Sequence, residues 1–512
     1  MKNIRTKLPV VIALITFVFV GCSDLDEQLE DRLTLKQVEE SIAGETPDVT
    51  NLLTEAYATL REIHGSGADL IADHVGDALI APTRGGDWDD NGAWRALHQH
   101  TWDADHSGLR NYFNRCTSGL FSAIDLLQFN PSAQQKAEAR FLRAFYVFWI
   151  CDGWGQVPMR EPGAPLSDIP TVMSSSEAIN YAITELEAIV GDLPADDDPW
   201  VATQAAAYAL LAKAYLNKPV FDSDDRQTFT FGTDDMNKVI SNCDAIINSG
   251  HFELEADYFE NFTFDNGENS SEIIFCTNNI AGIQSGSMFG SWFAGLHYNQ
   301  TPSGWNGFTT LADFYNTFED GDQRKGGEHP KLTPETGLTA GFLVGQQYDK
   351  DGNELEDRQG HKLIFTPESP IMVSGDLLEV SGYRYMKYFP DDMDNVYTPG
   401  NDFPFLRYAD VLLAKAEALM RNGDNTAALT IVNDLRVVRG ANALASLTEA
   451  DMLAERGREL YNEGWRRTDL IRYGKFLVAW DQKPVSDPTY LLYPFPSAQI
   501  VANPDLQQNP GY

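Results

Sequence analysis

The chain has 512 residues, with 75 acidic against 38 basic and a formal net charge of −37. Such a surface repels phosphate backbones and anionic lipid headgroups, which excludes nucleic acid as a partner and disfavours a strongly anionic substrate that lacks a local basic pocket. Hydrophobic residues make up 43 % of the chain, enough to bury a large core, and nothing after the first 21 residues offers the run of about 18 apolar residues that a spanning helix needs.

The N-terminus carries Lys2, Arg5 and Lys7, then an apolar stretch over 8–20 broken only by Pro9 and Thr16, then Gly21 and Cys22. This is the layout of a secretory signal peptide whose apolar core is too short to cross a bilayer as a helix. A small residue directly before a cysteine predicts lipoprotein processing, with Cys22 left as the acylated N-terminus. Each buried acyl methylene adds about 0.8 kcal/mol of membrane attachment. Ser23-Asp24-Leu25-Asp26-Glu27 opens a polar tether over 22–45.

Helical periodicity predicts helices over 52–63, 108–128, 134–151 and 175–191, punctuated by Pro131 and the run Asp196-Asp197-Asp198-Pro199. A helical pair follows over 203–217 and 236–249, separated by a loop over 218–235. Between about 250 and 406 the chain turns rich in Gly, Asn, Thr and aromatics without a sustained 3.6 period, which predicts loops, short strands and a few short helices. The clearest pair is 407–440. Its first helix carries Val411, Leu412, Ala414, Ala416 and Leu419, Gly423-Asp424 makes the turn, and Ala427, Ala428, Ile431, Val432 and Leu435 line the second. Paired helices with alanines at the crossing follow tetratricopeptide logic. A further helix is expected over 449–463. Cys116, Cys151, Cys243 and Cys276 show no C-x-x-C and no Cys/His spacing, so they read as small buried hydrophobes, with one disulfide of unassigned connectivity as the alternative in an oxidising compartment.

Four segments together resemble the SusD/RagB family of outer-membrane nutrient-binding lipoproteins. They are AEARFLRAFYVFWICDGWGQVPM (137–159), the helical pair at 407–440, ERGRELYNEGWRRTDLIRYGK (455–475) and YLLYPFPSAQIVANPDLQQNPGY (490–512), where Gln499 replaces the common glutamate. The resemblance implies a mostly α fold: about four tetratricopeptide-like helical pairs scaffolding a loop-rich, irregular ligand-binding half with short strands. It implies capture of a glycan at the cell surface without catalysis, and delivery to a SusC-like TonB-dependent transporter in the outer membrane, to which the lipid anchor holds the chain. The expected layout is a signal peptide (1–21), a lipid-anchored tether (22–45), an N-terminal helical region (46–250) and a C-terminal region (251–512). The last divides into a loop-rich insertion (251–406) and a closing helical pair with C-terminal segment (407–512).

Arg140, Arg143, Glu455, Arg456, Glu459, Glu463, Arg466 and Asp469 fall in these motifs. Their i, i+3 and i+4 spacing predicts ion pairs that fix helix packing, not catalysis. Asn509-Pro510-Gly511-Tyr512 is expected to dock the C-terminus.

A sugar offers apolar C–H faces and hydroxyl rims, so its site needs flat aromatics and planar hydrogen-bonding side chains. Two Gly-rich stretches supply both, 85–102 and 286–308. Trp88, Trp94, Trp292, Tyr298 and Trp305 are the expected stacking platforms. Asp73, Asp89, Asn91, Arg95 and Asn306 are the expected hydrogen-bonding partners, and Arg84, Arg95 or Arg384 are available for an acidic sugar.

His98, His100 and His106 fit no standard metal spacing. Asp87-x-Asp89-Asp90 and Asp320-Gly321-Asp322 match no EF-hand loop. The competing readings are capture of peptide or other cargo by the same lid, and, more remotely, a surface glycoside hydrolase with paired carboxylates. With 75 acidic residues, chance pairs are expected. No nucleophile motif, P-loop or zinc signature accompanies them, so no enzyme, cofactor or metal is expected.

Overall fold

The computed structural model describes residues 47–64 and 68–512. The signal peptide, Cys22 and the tether at 22–45 lie outside the described residues. Thirteen helices are used below: α1 (Val49–His64), α2 (Ala68–His74), α3 (Ala93–Gln99), α4 (Ser107–Asp125), α5 (Ala133–Trp154), α6 (Ser175–Ile189), α7 (Gln204–Phe221), α8 (Thr233–Ile247), α9 (Gly290–Phe293), α10 (Tyr408–Arg421), α11 (Asn425–Val438), α12 (Glu449–Leu460) and α13 (Arg466–Arg472).

Local chemistry starts these helices where the apolar periodicity begins. Ser132 with Gln135, and Ser174 with Glu177, form capping boxes at α5 and α6, which satisfy backbone N–H groups that have no intrahelical partner. Packing then orders them in a row: α1 on α4, α4 on α5, α5 on α6, α6 on α7, α7 on α8, α8 on α10 and α10 on α11. The row reads as four successive pairs, and the fold is mostly helical as the sequence implied. α5 is buried on every side from Phe141 to Trp154, so it is the central element. Its crossing with α4 is set by Gly119, because a Cβ there would fall inside the Tyr146 ring. α7 approaches its neighbours through buried Ala206, Ala207, Ala209, Ala212 and Ala214.

Several boundaries differ from expectation by a few residues, and two of them have an identifiable cause. α7 continues through Pro219 to Phe221, because Val220 and Phe221 are buried and the Asp222 N–H closes the last turn on Lys218 O at 2.8 Å. α12 stops at Leu460, not 463. Tyr461 is extended there and Asn462 left-handed (φ 56°), which turns Glu463 toward Arg407.

The charged motif residues are buried ion pairs, but most bridge separate elements instead of pairing along one helix. The Glu459 carboxylate accepts from Arg324 (3.1 Å), Arg407 (3.0 Å) and Arg439 (2.9 Å), all buried. Glu463 accepts from Arg407 and Lys387, and Glu455 from Arg324, Arg436 and Arg458. Arg456 and Arg472 share Asp469, Arg466 holds Asp77, and Arg140 and Arg143 both hold Glu185 of α6. Burial opposes charge on Glu455, but Arg324, Arg458 and Arg436 outweigh it and hold its carboxyl down to about 2. Breaking such a network leaves a buried unpaired charge, which costs far more than the intact pair contributes. The C-terminus docks as expected: Asn509 Nδ2 donates to Trp154 O and Tyr493 O, and the Tyr512 hydroxyl accepts from Trp102 Nε1 at 2.7 Å.

Residues 250–406 form short strands and single helical turns, and some of the strands pair with two short strands from residues 79–84. β1 (Leu79–Ile80) pairs antiparallel with β4 (Thr309–Thr310), and β2 (Thr83–Arg84) pairs parallel with β6 (Met372–Val373). β3 (Ile273–Cys276) pairs with β8 (Pro404–Arg407), and β5 (Ala340–Leu343) with β7 (Arg384–Met386), both antiparallel. The β1–β4 and β2–β6 ladders tie the segment before Gly85 to the segments around 309 and 372. That brings the two tryptophan-rich stretches together. Cys116, Cys151, Cys243 and Cys276 are free and buried. Among the described residues no helix is long and apolar enough to cross a membrane.

Candidate functional site

The turn after β2 places Trp88. Gly85, Trp88, Asp90, Asn91 and Gly92 all have positive φ, a run of left-handed residues that coils the chain tightly before α3. Trp88 Nε1 donates to Trp305 O at 3.0 Å, and its ring lies 4.8 Å from that of Phe308. Gly307 makes this possible, since a Cβ there would overlap the Trp88 indole. Trp94, on α3, is oriented by its Nε1 donating to Asp90 Oδ2 at 2.7 Å.

From these contacts a continuous row of rings follows. Trp94 lies 6.2 Å from Trp88, Trp88 6.4 Å from Trp305, Trp305 stacks at 5.8 Å on Phe293, and Phe293 stacks at 4.9 Å on Tyr397. Phe289 supports Trp305 edge-on. The row is open to solvent where it matters: Trp305 is 46 % exposed and Tyr397 68 %. A cleft of about 580 Å³ beside it is lined by Asp90, Asn91, Trp94, Leu97, His106 and Arg115. The Asp87, Asp90 and Asn91 side chains supply polar atoms along the row.

Tyr298 flanks the row through Asp87, to which its hydroxyl donates at 3.3 Å, and burial with the Asp87 charge raises its ionisation above the ordinary phenol range. The Arg358 guanidinium lies 3.8 Å over the Tyr298 ring and donates from Nε to Glu379 at 2.7 Å. His297 Nδ1 accepts from the Asn299 N–H, so Nε2 carries the proton and donates to Glu379 Oε2 at 2.8 Å. Burial lowers His297 below its ordinary value, against the pull of Glu379, which favours the neutral ring. Burial opposes charge on Glu379 as well, but bonds from the Arg358 backbone, His297 and the Arg358 side chain prevail and keep it ionised.

Two buried guanidiniums brace the back of the row. Arg84 donates to Gly307 O, Leu378 O and Ser381 O. Arg384 donates to Ser381 O, to Glu379 O and to Asn306 Oδ1 at 2.7 Å. Burial lowers Arg84 to about 10. Burial and then the Arg84 charge lower Arg384 well below its ordinary value.

The structure brings together Trp88, Trp94, Trp305 and, across Asp87, Tyr298. Asn91 is exposed beside them, and Asp89 and Arg95 form an ion pair at the same turn. Trp292 has no exposed surface: the single turn of α9 aims it into the core and its neighbour Phe293 toward the row. Asp73 is buried and accepts from the Gly464 N–H at 3.0 Å, and Asn306 is buried against Arg384, so neither presents a polar atom to solvent. Arg84 and Arg384 are likewise buried and unavailable to an acidic sugar. His98, His100 and His106 each bond a separate carbonyl. Tyr397, Phe293 and Arg358 went unmarked in the sequence, and Asp87 was marked only as part of a weak cation motif. Tyr397 sits in the Asp-, Asn-, Pro- and Gly-rich run 391–402, the same texture that singled out Trp88.

Residues 264–490 match the family model described as SusD family. The chain is 28 % identical over 452 residues to the starch-binding protein SusD of Bacteroides thetaiotaomicron, an alignment covering 78 % of this chain and 76 % of that protein. A SusD superfamily protein from Parabacteroides distasonis superposes with a TM-score of 0.70 at 20 % identity, covering 94 % of this chain and 100 % of that one. Surface glycan-binding protein A from Bacteroides thetaiotaomicron, solved in complex with laminarihexaose, superposes with a TM-score of 0.67 at 18 % identity, covering 90 % and 98 %. At such identities the solved structures establish a shared fold.

Proposed function

We propose that this chain, which belongs to the SusD family, is a non-catalytic protein that captures a glycan on the ring row Trp94–Trp88–Trp305–Tyr397. The observation that carries the reading is the pair of solvent-open rings Trp305 and Tyr397, both stacked on the buried Phe293. Flat rings held in place by a packed layer beneath them offer their exposed apolar surface to successive sugar residues. Asp87, Asp90 and Asn91 offer acceptors and donors to the hydroxyl rim. Such a site is preorganised, so little entropy is lost on binding. The acidic carboxylates along the rim favour a neutral glycan over a uronate or a sulfated polymer. One relative named for binding starch, and a structural neighbour solved with laminarihexaose, support the glycan class, and their names describe binding proteins, not enzymes.

On this reading Cys22 anchors the chain to the outer membrane, facing outward, and the captured glycan passes to a SusC-like TonB-dependent transporter. Affinity electrophoresis in gels containing starch, laminarin or other neutral polysaccharides tests the binding role. Retardation by one polymer without release of reducing ends supports it. Release of reducing ends overturns the non-catalytic role, and failure of every glycan together with retention of peptide overturns the cargo class.

A further inference from the structure

Apart from the aromatic row, Asp257, Glu260 and His329 place three ligand atoms within 4.8 Å of one another. Asp257 accepts from the Phe259 N–H at the start of the single turn Tyr258–Phe262, and that turn carries Glu260. His329 arrives from the loop after Gly326-Gly327 and is only 3 % exposed. Its ring is fixed against Phe389, 4.9 Å away, and Phe259, 6.5 Å away. Its Nε2 has no hydrogen-bond partner and is aimed between Asp257 Oδ2 at 3.5 Å and Glu260 Oε1 at 3.9 Å. A buried ring nitrogen without a hydrogen bond is costly and calls for a reason. Beside it lies a cavity of about 430 Å³ lined by Asp257, Gln323, Glu328 and His329, which leaves a path to the group from solvent.

We infer that Asp257, Glu260 and His329 form a binding site for a divalent transition-metal ion of the Zn²⁺ type. One imidazole and two carboxylates is a ligand set that suits zinc, whereas calcium takes six or more oxygens. Bonds of about 2.0–2.2 Å place neighbouring ligands of a tetrahedral ion about 3.4 Å apart. Nε2 and Asp257 Oδ2 already stand at that separation, Glu260 needs to close on Nε2 by about half an ångström, and the three ligand atoms, now within 4.8 Å of one another, draw together on the ion. Both carboxylates are partly exposed, and each is held through only one of its oxygens, Asp257 by the Phe259 N–H and Glu260 by Lys331. The cavity supplies the open position that water or a ligand atom would fill. Lys331 holds the other oxygen of Glu260, leaving Oε1 toward the site. The Lys331 N–H also reaches His329 Nδ1 at a long 3.3 Å. Metal on Nε2 takes the tautomer with the proton on Nδ1, so loading gives up that weak contact.

The test is competition titration of the purified protein with Zn²⁺ against a chromophoric chelator, with visible spectra of the Co²⁺ form alongside. The expected result is one bound ion, an affinity at least about 100-fold weaker in His329→Gln and about 10-fold weaker in Asp257→Asn, and a tetrahedral Co²⁺ band lost in the histidine variant. Asp257 is half exposed, so its variant reads the site even if the buried histidine change impairs folding. No binding tighter than about 100 μM, or binding that Asp257→Asn and a folded His329→Gln leave unchanged, overturns the site. Glycan affinity plays no part in this test, so the two readings stand or fall separately.

Discussion

Replacing Trp305 with alanine removes the most central exposed ring of the row. A tryptophan side chain presents up to about 250 Å², so the 46 % left open is about 115 Å², of which a sugar laid on one face covers about 80 Å². At about 25 cal/mol per Å² that is about 2 kcal/mol, or about a 30-fold weaker Kd. The backbone carbonyl that accepts from Trp88 survives the substitution, so Trp88 keeps its orientation and the loss reads the stacking face alone. Isothermal titration with the oligosaccharide of whichever polymer retains the protein measures it. Trp292→Phe is the control: it changes a buried ring, so the melting temperature falls while Kd stays within about twofold. A Trp305→Ala protein that binds its glycan with unchanged affinity would refute the ring row as the site.

Tyr397→Ala, which removes a 68 % exposed ring stacked on Phe293, weakens the same Kd by about 5–10-fold with little change in melting temperature, because less area is lost from the core side. Gly119→Ala forces α4 and α5 apart against the Tyr146 ring, and chemical denaturation should show a loss of about 1–3 kcal/mol. Glu459→Gln leaves Arg324, Arg407 and Arg439 short of a shared buried anion and costs about 3–5 kcal/mol on the same measurement. Glu455 has a folded-state value depressed to about 2. Its stabilisation is therefore present above its unfolded value near 4.5 and lost as pH falls toward 2. Denaturant midpoints measured from pH 6 to pH 2 should drop steeply over that window, and less steeply in Glu455→Gln, where about 3 kcal/mol of linked stability is absent.

The helical half was legible because helices announce themselves locally. Capping residues such as Ser132 and Ser174, the 3.6 spacing of apolar side chains and the small residues of α7 all act within a few positions of one another. Even there, α7 outran its proline because burial of Val220 and Phe221 outweighed one missing hydrogen bond. The charged motifs were readable as structural, yet their partners were not: Glu459 meets Arg324, Arg407 and Arg439, which come from three different segments. In the loop-rich half, composition located the aromatic stretches but not the direction of each ring. Trp292 and Phe293 are adjacent in sequence and both buried, but only Phe293 stacks on Trp305 and Tyr397, a difference set by the turn of α9 against the core.

Composition, charge and periodicity by themselves determined a set of helices with two helical pairs, an unfavourable surface for nucleic acid, and two tryptophan-rich stretches suited to sugar faces; the mostly α scaffold of about four pairs came from the resemblance of four sequence motifs to a known family. Only the tertiary structure decided which rings reach solvent. It joined those stretches through the short β1–β4 and β2–β6 ladders, buried Trp292, Asp73 and Asn306, and brought Tyr397 and Arg358 alongside. It also aimed the buried His329 between Asp257 and Glu260. The physical reason is range: helix formation rests on neighbours three and four residues apart, whereas a binding surface is made by contacts between residues hundreds of positions apart, which no local pattern records.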